Sequence, residues 1–393
     1  MNRRLNDVHS NHVFDSILEQ THVNMNYQAR IDALNRAAGL EDGSVDAIMI
    51  VPGSNLVYFT GLHIHLSERP AIAVFTRDGL SMIIPQLEMQ QLNIRPDLEA
   101  RPFAWSDVEG YEGAFAELID TLGLRGKKIG IDGMTMRVTE WLAFTKIDPT
   151  LQVVPIERAL IGVRAHKMPD EVAAMRRAIA ISEAALDKLL QEVQPGMTEA
   201  QIAARLEALQ MALGADELAF SAHVQIGENS SNPHGVSGDR KLREGEFLLI
   251  DYGCRVNGYP SDITRTFCLG TPTAEMQRIY DTVLRANEAA KAVVAPGIPM
   301  RVVDKAARDI IEAAGYGEYF THRTGHGLGL DVHEPIPQIA SNIDDPLEPG
   351  MTFTIEPGIY IPSLGGVRIE DNVLVTDTGM DVLTSFRREL RAR

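Results

Sequence analysis

The chain has 393 residues, of which 45% are hydrophobic and 23% are charged, an ordinary balance for a soluble globular protein. Its net charge of −17 argues against a nucleic-acid surface, which needs basic patches to neutralise phosphates, and also disfavours anionic membranes. No apolar run approaches the roughly 18 residues of a membrane span.

The N-terminus and the cysteines together predict a cytoplasmic location. Residues 1–20 carry arginines but no apolar core, so we expect no secretory signal. The two cysteines, Cys254 and Cys268, lie on opposite strands of one predicted hairpin, roughly 23 Å apart along it, which is too far for a disulfide. Free thiols are typical of a reducing compartment.

Residues 1–160 predict an α/β domain of their own, because short apolar strands alternate with helical patterns. Two domains also suit the length, since single hydrophobic cores seldom grow beyond about 250–300 residues. The predicted strands are Ala47–Val51, Leu56–Thr60, Ala71–Thr76, Ser81–Ile84, Lys128–Asp132 and Gln152–Ile156. The predicted helices are Gln28–Ala38 and Glu112–Leu122.

One loop of this first domain has side chains suited to binding. The segment Gly61–Pro70 (GLHIHLSERP) clusters His63, His65 and Arg69. A polar surface loop is the simpler interpretation, and a substrate-binding loop is the alternative.

The segment Val163–Pro169 (VRAHKMP) is predicted to link the two domains, with Pro169 able to open a long helix. From Val172 to Val193 apolar residues recur at intervals of three and four, with Ser182 as the single polar interruption. This pattern predicts a helix with one buried face.

A hairpin is predicted at Phe247–Phe267, around the turn Asn257-Gly258, because Asn-Gly between two apolar runs is the strongest short-range signal for a two-residue turn. Direct pairing across that turn places Asp251 opposite Thr264. Asp251 and Asp262 then share one face as diagonal neighbours, about 7–8 Å apart at Cα.

These two carboxylates would repel each other inside an apolar ladder unless positive charge lies between them. A pair of divalent metal ions about 3.5–4 Å apart fits that gap. The alternative is two solvated aspartates on an exposed strand face.

The helical plan is repeated about a hundred residues further along. The segment Gln194–Ala215, with a capping box at Thr198 and Gln201, aligns without a gap with Ala295–Tyr316. A long helical pattern, Ala274–Val294, precedes the second copy, and strand-rich sequence follows each copy. We therefore predict an internal duplication whose halves bring their strands together to form one site.

Three later segments carry unusual residues. The segment Thr321–Glu334 (THRTGHGLGLDVHE) places three histidines among glycines. Phe353–Tyr360 places Glu356 at a strand end, and Gly366–Val373 places Glu370 on a strand. None of these segments contains a HExxH zinc motif, a dinucleotide-binding loop, a P-loop or a GxSxG motif.

The candidate metal ligands are Asp251, Asp262, His326, Glu356 and Glu370. Four carboxylates and one imidazole suit a dinuclear site, which needs hard oxygen ligands that can bridge and a nitrogen donor. Zinc more often recruits additional histidine or cysteine, so Mn²⁺ or Co²⁺ is the preferred assignment and Zn²⁺ the alternative.

From about Val163 to Thr384 the chain resembles the M24 metallopeptidases, which include methionine aminopeptidase, prolidase and aminopeptidase P. The Asp, Asp, His, Glu, Glu metal series of that family falls on the five candidate ligands without substitution. The resemblance implies the pita-bread fold, a pseudo-twofold α/β (α+β) domain, for residues 163–393. Residues 1–162 resemble, more loosely, the smaller α/β domain that precedes it in creatinases and prolidases.

The resemblance also implies roles for residues beyond the metal ligands. His234 matches a histidine that contacts the substrate carbonyl, and His333 matches one near the scissile amide. His322 matches a histidine that supports the ligands, and Arg368 matches an arginine two residues before the last glutamate. Glu356 would accept and return the proton of the attacking water.

The resemblance implies an Xaa-Pro dipeptidase or Xaa-Pro aminopeptidase that holds two divalent ions and acts on small peptides. We also expect a homodimer whose His63/His65/Arg69 loop approaches the active site of the partner. Arg368 or Arg69 would bind the carboxylate of a dipeptide. A metal-dependent hydrolase of a non-peptide C–N bond, such as that of a compatible solute, is the alternative. A catalytically silent binding protein is disfavoured by the intact ligand set.

Overall fold

The computed structural model of this chain describes residues 25–391. These residues form two compact units, residues 26–164 and residues 165–391 together with Met25. The predicted domain boundary lies between residues 162 and 163. Residues 1–20, for which we expect no secretory signal, lie outside the described range. Within residues 25–391, no helix is long and apolar enough to cross a membrane.

The first unit is built on one mixed six-stranded sheet. Its strands are β1 Ala47–Ile50, β2 Ile72–Thr76, β3 Gly79–Pro85, β4 Arg101–Trp105, β5 Lys128–Ile131 and β6 Gln152–Pro155. Its helices are α1 Tyr27–Ala37, α2 Ser54–Thr60, α3 Met89–Asn93, α4 Glu112–Thr121, α5 Val138–Ile147 and α6 Glu157–Ala165. The strand order is β4-β3-β2-β1-β5-β6. Both predicted helices and five of the six predicted strands are confirmed, whereas β4, α3, α5 and α6 are absent from the sequence predictions.

The predicted strand at Leu56–Thr60 is wrong, because these residues form helix α2. A short apolar run between glycines fits a buried helix as well as a strand. Gly61 ends the helix in the left-handed conformation, with φ at 67°, and donates its N–H to Val57 O at 2.7 Å. Thr60 Oγ1 donates to Leu56 O at 2.6 Å, so the buried hydroxyl is satisfied within the helix.

The predicted linker Val163–Pro169 is wrong in its first part, since residues 163–165 complete helix α6. Leu160 buries this helix against the core, and Gly162 costs it about 1 kcal/mol without ending it. Pro169 opens the next helix, as predicted, because a proline at the first helical position loses no hydrogen bond.

The second unit consists of two helix pairs, each packed on its own strands. Its helices are α7 Pro169–Glu192, α8 Glu199–Ala212, α9 Ala274–Ala292 and α10 Met300–Ala313. The strands of its first half are β7 Glu217–Leu218, β8 His223–Ile226, β9 Phe247–Tyr252, β10 Cys254–Val256, β11 Tyr259–Pro260 and β12 Ile263–Cys268. Those of its second half are β13 Gly325–Gly327, β14 Glu334–Ile339, β15 Thr352–Ile355, β16 Gly358–Ile361, β17 Gly365–Arg368, β18 Asp371–Val375 and β19 Met380–Val382.

Two apolar cores follow this division. Helices α7 and α8 pack against β8, β9 and β12, which form one sheet in the order β12-β9-β8. Helices α9 and α10 pack against β15 and β18, which belong to a sheet in the order β14-β13-β15-β18-β19. Each helix pair therefore covers the strands that follow it in sequence.

The backbone hydrogen bonds repeat in the same way. After α7, Gly196 donates its N–H to Leu242 O at 2.8 Å. After α9, Gly297 donates its N–H to Leu347 O, also at 2.8 Å. The structure thus contains the internal duplication expected from the aligned helical segments.

The hairpin has the predicted register, with Val256 paired with Tyr259 and Asp251 paired with Thr264. The turn residues Asn257-Gly258 both have positive φ, 51° and 81°, as a type I′ turn requires. Because no bulge interrupts the ladder between β9 and β12, the turn alone sets which side chains share a face.

Both cysteines are free thiols, as predicted, and both are buried. Cys268 pairs with Phe247 in the ladder, far along it from Cys254. Burial raises the pKa of the Cys254 thiol to about 11, so this group is not a nucleophile at neutral pH.

Candidate active site

One cavity of the second unit collects nine of the twelve predicted site residues. Its volume is about 1020 Å³. The predicted residues that line it are His234, Asp251, Asp262, His322, His326, His333, Glu356, Arg368 and Glu370. They come from both halves of the duplicated unit.

Strand ends bring the five candidate ligands together. Asp251 lies in β9, and Asp262 directly precedes β12, the hairpin partner of that strand. His326 is the central residue of β13, Glu356 follows β15 and Glu370 precedes β18. Each ligand therefore lies on, or next to, a hydrogen-bonded strand, which makes its position rigid.

Strand β13 approaches β15 closely because Gly325 has no side chain. A Cβ at this position would lie only 1.8 Å from Thr354 O. Thr354 Oγ1 accepts the N–H of His326 at 3.1 Å and donates to Glu356 Oε1 at 3.2 Å. Gly325 thus allows β13 to approach Thr354. The Thr354 hydroxyl contacts both His326 and Glu356 and so sets the distance between them.

The possible ligand atoms form three overlapping groups, each within 4.8 Å. The groups are Asp251/Asp262/Glu370, His326/Glu356/Glu370 and Asp262/His326/His333. Asp262, His326 and Glu370 each belong to two groups, but of these three only the carboxylates have two oxygens that can serve two ions, since His326 Nδ1 is hydrogen-bonded to Gly327 O. This arrangement is the one expected if both carboxylates bridge two ions.

The imidazole of His326 is oriented for ligation. Its Nδ1 lies 3.1 Å from Gly327 O, to which it donates, so the free Nε2 faces the carboxylates. Nε2 lies 3.6 Å from Asp262 Oδ2 and 3.4 Å from Glu356 Oε1. Burial, and then the neighbouring His333, lower the pKa of His326 to about 3, so the ring is neutral and can bind a metal.

The buried carboxylates lack sufficient positive charge of their own. Burial first, and then Glu370 and Asp251, raise the pKa of Asp262 well above its usual range. Burial, followed by Glu356 and Asp251, does the same to the pKa of Glu370. Burial also raises the pKa of Glu356 to about 7, against the opposing charge of Arg368. The protein alone therefore disfavours the ionised form of this cluster.

An unpartnered atom marks where further positive charge fits. Asp251 Oδ1 is buried without a hydrogen-bond partner among residues 25–391, whereas Oδ2 accepts from Arg368 Nη2 at 2.7 Å. Glu370 uses Oε2 to accept from Thr264 Oγ1 at 2.7 Å. Hard oxygen donors with spare lone pairs, beside a neutral imidazole, fit divalent metal ions.

Arg368 fixes the carboxylate of Asp251 from behind. Arg368 as a whole is only 4% exposed, and its guanidinium also donates to Thr264 Oγ1 and Tyr360 OH, both at 3.0 Å. Since arginine can only donate, the Tyr360 hydroxyl donates its proton onward to His322 Nε2, at 2.8 Å. Arg368 therefore links the candidate metal ligands to His322 through hydrogen bonds.

His322 ends this chain of hydrogen bonds. Its Nδ1 lies 2.7 Å from Arg323 O and donates to it. Burial, and then the charge of Arg368, lower the pKa of His322 to about 4, so the ring is neutral. We assign it a supporting role because both ring nitrogens already have protein partners.

His234 is exposed on a loop, residues 227–238, that Glu199 holds at both ends. The carboxylate of Glu199 is fully buried. It accepts from Ile226 N at 2.8 Å and from Gly238 N at 2.9 Å. The imidazole of His234 thus extends into the cavity from a fixed base.

His333 lies beside the candidate metal ligands in the cavity. Its ring is exposed, and its centroid lies 3.9 Å from that of His326. Partial desolvation by the surrounding cavity residues, and then the charge of Arg323, lower the pKa of His333. It is placed to contact a bound substrate or to act as a further nitrogen ligand with Asp262 and His326.

The other three predicted residues, His63, His65 and Arg69, belong to the first unit, and none of them lines this cavity. Both histidines are exposed. Arg69 donates to both carboxylate oxygens of Asp107 at 2.8 Å, and to Glu68 at 2.6 Å. In this structure, the guanidinium of Arg69 is therefore engaged by carboxylates of its own unit.

The cavity also contains residues that the sequence reasoning missed. They are Ala219, Phe220, His223, Pro233, Arg323, Asp331 and Val332. His223 pairs with Asp251 across β8 and β9, and only a prediction of β8 could have revealed that pairing. Arg323 had a usable signal, since it lies three residues before His326 in the histidine-rich segment.

Sequence patterns of two families match the two units. The pattern of metallopeptidase family M24 matches residues 173–377. The pattern of the creatinase/prolidase N-terminal domain matches residues 30–166. Together the two matches cover most of the described chain.

Individual proteins agree with these matches. An uncharacterized peptidase of Staphylococcus epidermidis is 34% identical over 89% of this chain and 97% of its own length. The crystal structure of a prolidase from Thermococcus sibiricus has a TM-score of 0.86 and 37% identity, over 94% of this chain and 99% of that chain. An Xaa-Pro dipeptidase from Bacillus anthracis has a TM-score of 0.83 and 30% identity, over 93% and 99%.

Proposed function

The chain belongs to metallopeptidase family M24, and from this membership we propose that it hydrolyses the bond between a residue and a following proline in dipeptides and other short peptides. The predicted fold is confirmed: a pita-bread domain follows a smaller α/β domain of the creatinase/prolidase type. The proposal of a prolyl substrate draws support from the solved prolidase and Xaa-Pro dipeptidase that the chain resembles.

The observation that carries the proposal is the content of one cavity. The five candidate ligands lie beside two exposed histidines, His234 and His333, which can donate hydrogen bonds to a bound peptide. Hydrolysis of an amide needs donors for the developing oxyanion, and removing one such donor typically costs about 10²–10³ in rate. The ligand set without these donors would fit a purely structural metal site equally well.

We further propose two divalent ions, Mn²⁺ or Co²⁺, with Zn²⁺ as the alternative. Asp262 and Glu370 would be shared between the ions, Asp251 would hold one, and His326 and Glu356 would hold the other. Such ions supply Lewis-acid polarisation of the scissile carbonyl and a nucleophilic water at neutral pH.

The side chains of the protein have the remaining tasks. Glu356, with a pKa of about 7 before any ion binds, is suited to accept a proton and return it to the leaving nitrogen. His234 would donate to the oxyanion and His333 to the substrate backbone. Arg368 and Thr264 hold Asp251 and Glu370 in fixed orientations, so little reorganisation is needed during turnover.

A prolyl nitrogen is a tertiary amide without an N–H, so a site that selects it has no amide proton to recognise. A pocket that favours the imide accepts a bond that other peptidases reject. Glu356 would protonate the prolyl nitrogen directly as the bond breaks.

With Mn²⁺, the protein should release free proline from Ala-Pro, and act more weakly on Ala-Pro-Gly and on Ala-Ala. Release of free alanine from each of the three peptides, together with release of free proline from Ala-Pro, measured by amino-acid analysis, checks this prediction. Turnover of non-peptide C–N substrates without proline release would favour the alternative function. Absence of turnover on every substrate, in protein that contains metal, would refute the hydrolase proposal.

We also predict a homodimer in which His63, His65 and Arg69 approach the cavity of the partner subunit. The prediction rests on the resemblance and on the exposure of His63 and His65, although Arg69 is paired with Asp107 and Glu68 within its own unit. Analytical ultracentrifugation should give twice the chain mass of 43.2 kDa. A fully active monomer of 43.2 kDa would refute it.

A further inference from the structure

A short peptide carries a free C-terminal carboxylate. The candidate metal ligands do not identify the cationic side chain that would bind this carboxylate. The two arginines suggested by the sequence both have carboxylate partners. Arg69 is paired with Asp107 and Glu68, and Arg368 with Asp251. Arg368 is also 4% exposed, so a substrate cannot reach much of its guanidinium.

Arg323 is different. It lines the active-site cavity and is half-buried. Its guanidinium has no hydrogen-bonded or ion-paired partner among residues 25–391. A guanidinium carries five donors in a fixed fork that matches a carboxylate, so a cation left without a partner inside a cavity is suited to an incoming anion.

The backbone around Arg323 is fixed on both sides, which gives its side chain a rigid base. Arg323 O accepts from His322 Nδ1 at 2.7 Å. The next residue, Thr324, donates its N–H and its hydroxyl to Asp304 Oδ1, at 3.1 and 2.8 Å. Binding of a substrate would therefore order only the side chain, which lowers its entropic cost.

The charge of the cavity agrees with this assignment. Two divalent ions, as proposed above, would balance the four carboxylate ligands. Arg323 and Arg368 then add two positive charges, and Asp331 adds one negative charge. The cavity would then have a net charge of +1. This charge favours a substrate whose part inside the cavity carries one more carboxylate than ammonium group.

We propose that Arg323 binds a carboxylate of the substrate in this cavity. The inference rests on the proposed function for the nature of the substrate, and it deepens that function by naming the group that is recognised. Two sources can supply the carboxylate: the C-terminus of a dipeptide, or an acidic side chain in the residue before proline.

Binding of non-cleavable probes tests this proposal independently of turnover. The probes are analogues of Ala-Pro in which a methylene replaces the scissile carbonyl, with either a C-terminal carboxylate or a C-terminal carboxamide. A second pair carries Asp or Asn in the first position, both as carboxamides. Dissociation constants are measured by calorimetry on protein loaded with Mn²⁺.

The variants are Arg323→Met, Arg323→Lys, Arg69→Ala and, as a matched control, Arg301→Met. Arg301 lies on the surface of the same unit, where it pairs with Asp344. If the methionine variant does not fold, Arg323→Gln replaces it. Thermal unfolding of every variant checks that the protein remains intact.

The wild type should bind the carboxylate form of one probe pair about 10- to 100-fold more tightly than the neutral form. Arg323→Met should abolish this ratio, Arg323→Lys should retain part of it, and the control should retain all of it. If Arg323→Met abolishes the affinity ratio of the pair that differs at the C-terminus, Arg323 binds the C-terminal carboxylate of the dipeptide. If it abolishes the ratio of the Asp/Asn pair, Arg323 binds an acidic side chain in the residue before proline.

Unchanged ratios for both pairs in Arg323→Met would overturn the proposal, and so would a ratio that depends on Arg69 instead. These outcomes differ from failure of the proposed function, which would appear as absence of proline release from Ala-Pro. The probe ratios would still decide the role of Arg323 in that case.

Discussion

Replacement of Asp262 by Asn should reduce kcat/KM by several orders of magnitude while the protein remains folded. Asp262 belongs to two of the three possible ligand groups, and the amide of Asn cannot bridge two ions as a carboxylate does. Its backbone is fixed independently of its side chain, because Asp262 N donates to Asn372 Oδ1 at 3.2 Å.

The same substitution should not destabilise the metal-free protein. In that state Asp262 is buried beside Glu370 and Asp251, and removal of one potential negative charge relieves repulsion. Thermal unfolding with and without Mn²⁺ should show an unchanged or higher Tm in chelator and a smaller increase with metal. Asp344→Asn, on the exposed surface, is the matched control and should behave as wild type. Wild-type turnover by Asp262→Asn would end the bridging assignment.

Metal binding should release protons, and the stabilisation by Mn²⁺ should grow as the pH rises from about 4.5 to about 7. Burial raises the pKa of Glu356 from 4.5 to about 7 in the metal-free protein, and raises the pKa values of Asp262 and Glu370 well above their usual range. Ions bind the deprotonated carboxylates, so these protons must leave.

The sign for stability follows from proton linkage. Between pH 4.5 and about 7 the folded metal-free protein holds more protons on these carboxyl groups than the unfolded chain, so their contribution to stability falls as the pH rises through this window. The lowered pKa values of His322 and His326 contribute in the opposite sense below pH 6.5, but both rings are already neutral in the folded protein before metal binds. Asp371 does not contribute there, because its pKa is about 2: burial opposes ionisation but Arg265 and Lys291 outweigh it. Calorimetry in buffers of different ionisation enthalpy counts the released protons. A Tm difference between Mn²⁺ and chelator that stays constant across this pH range would contradict the prediction.

Much of the site could be predicted because its signals are local. Asn257-Gly258 fixes the hairpin register, and the register fixes which face Asp251 and Asp262 occupy. His326 could be singled out because it lies between glycines, and Glu370 because it lies in a predicted strand. A polar side chain that is buried at such a position needs a binding partner. The duplicated helices predicted that the two sets of strands form one site.

The remaining features depend on contacts between distant parts of the chain. Arg368 forms an ion pair with Asp251, which lies 117 positions away in the sequence, and no local sequence pattern predicts that pairing. Asn287 in α9 donates to Ile355 O at 3.0 Å, and thereby holds the end of β15 next to Glu356. The strand predicted at Leu56–Thr60 was wrong for a related reason, since a short buried run takes its conformation from its surroundings.

The most direct test of the account is anomalous diffraction from crystals of the protein loaded with Mn²⁺. We predict two peaks about 3.5–4 Å apart, both within coordination distance of Asp262 and Glu370, with His326 at one peak and Asp251 at the other. Absence of a peak at these carboxylates, in crystals of protein that releases proline from Ala-Pro, would contradict the dinuclear metal centre on which the proposed function depends.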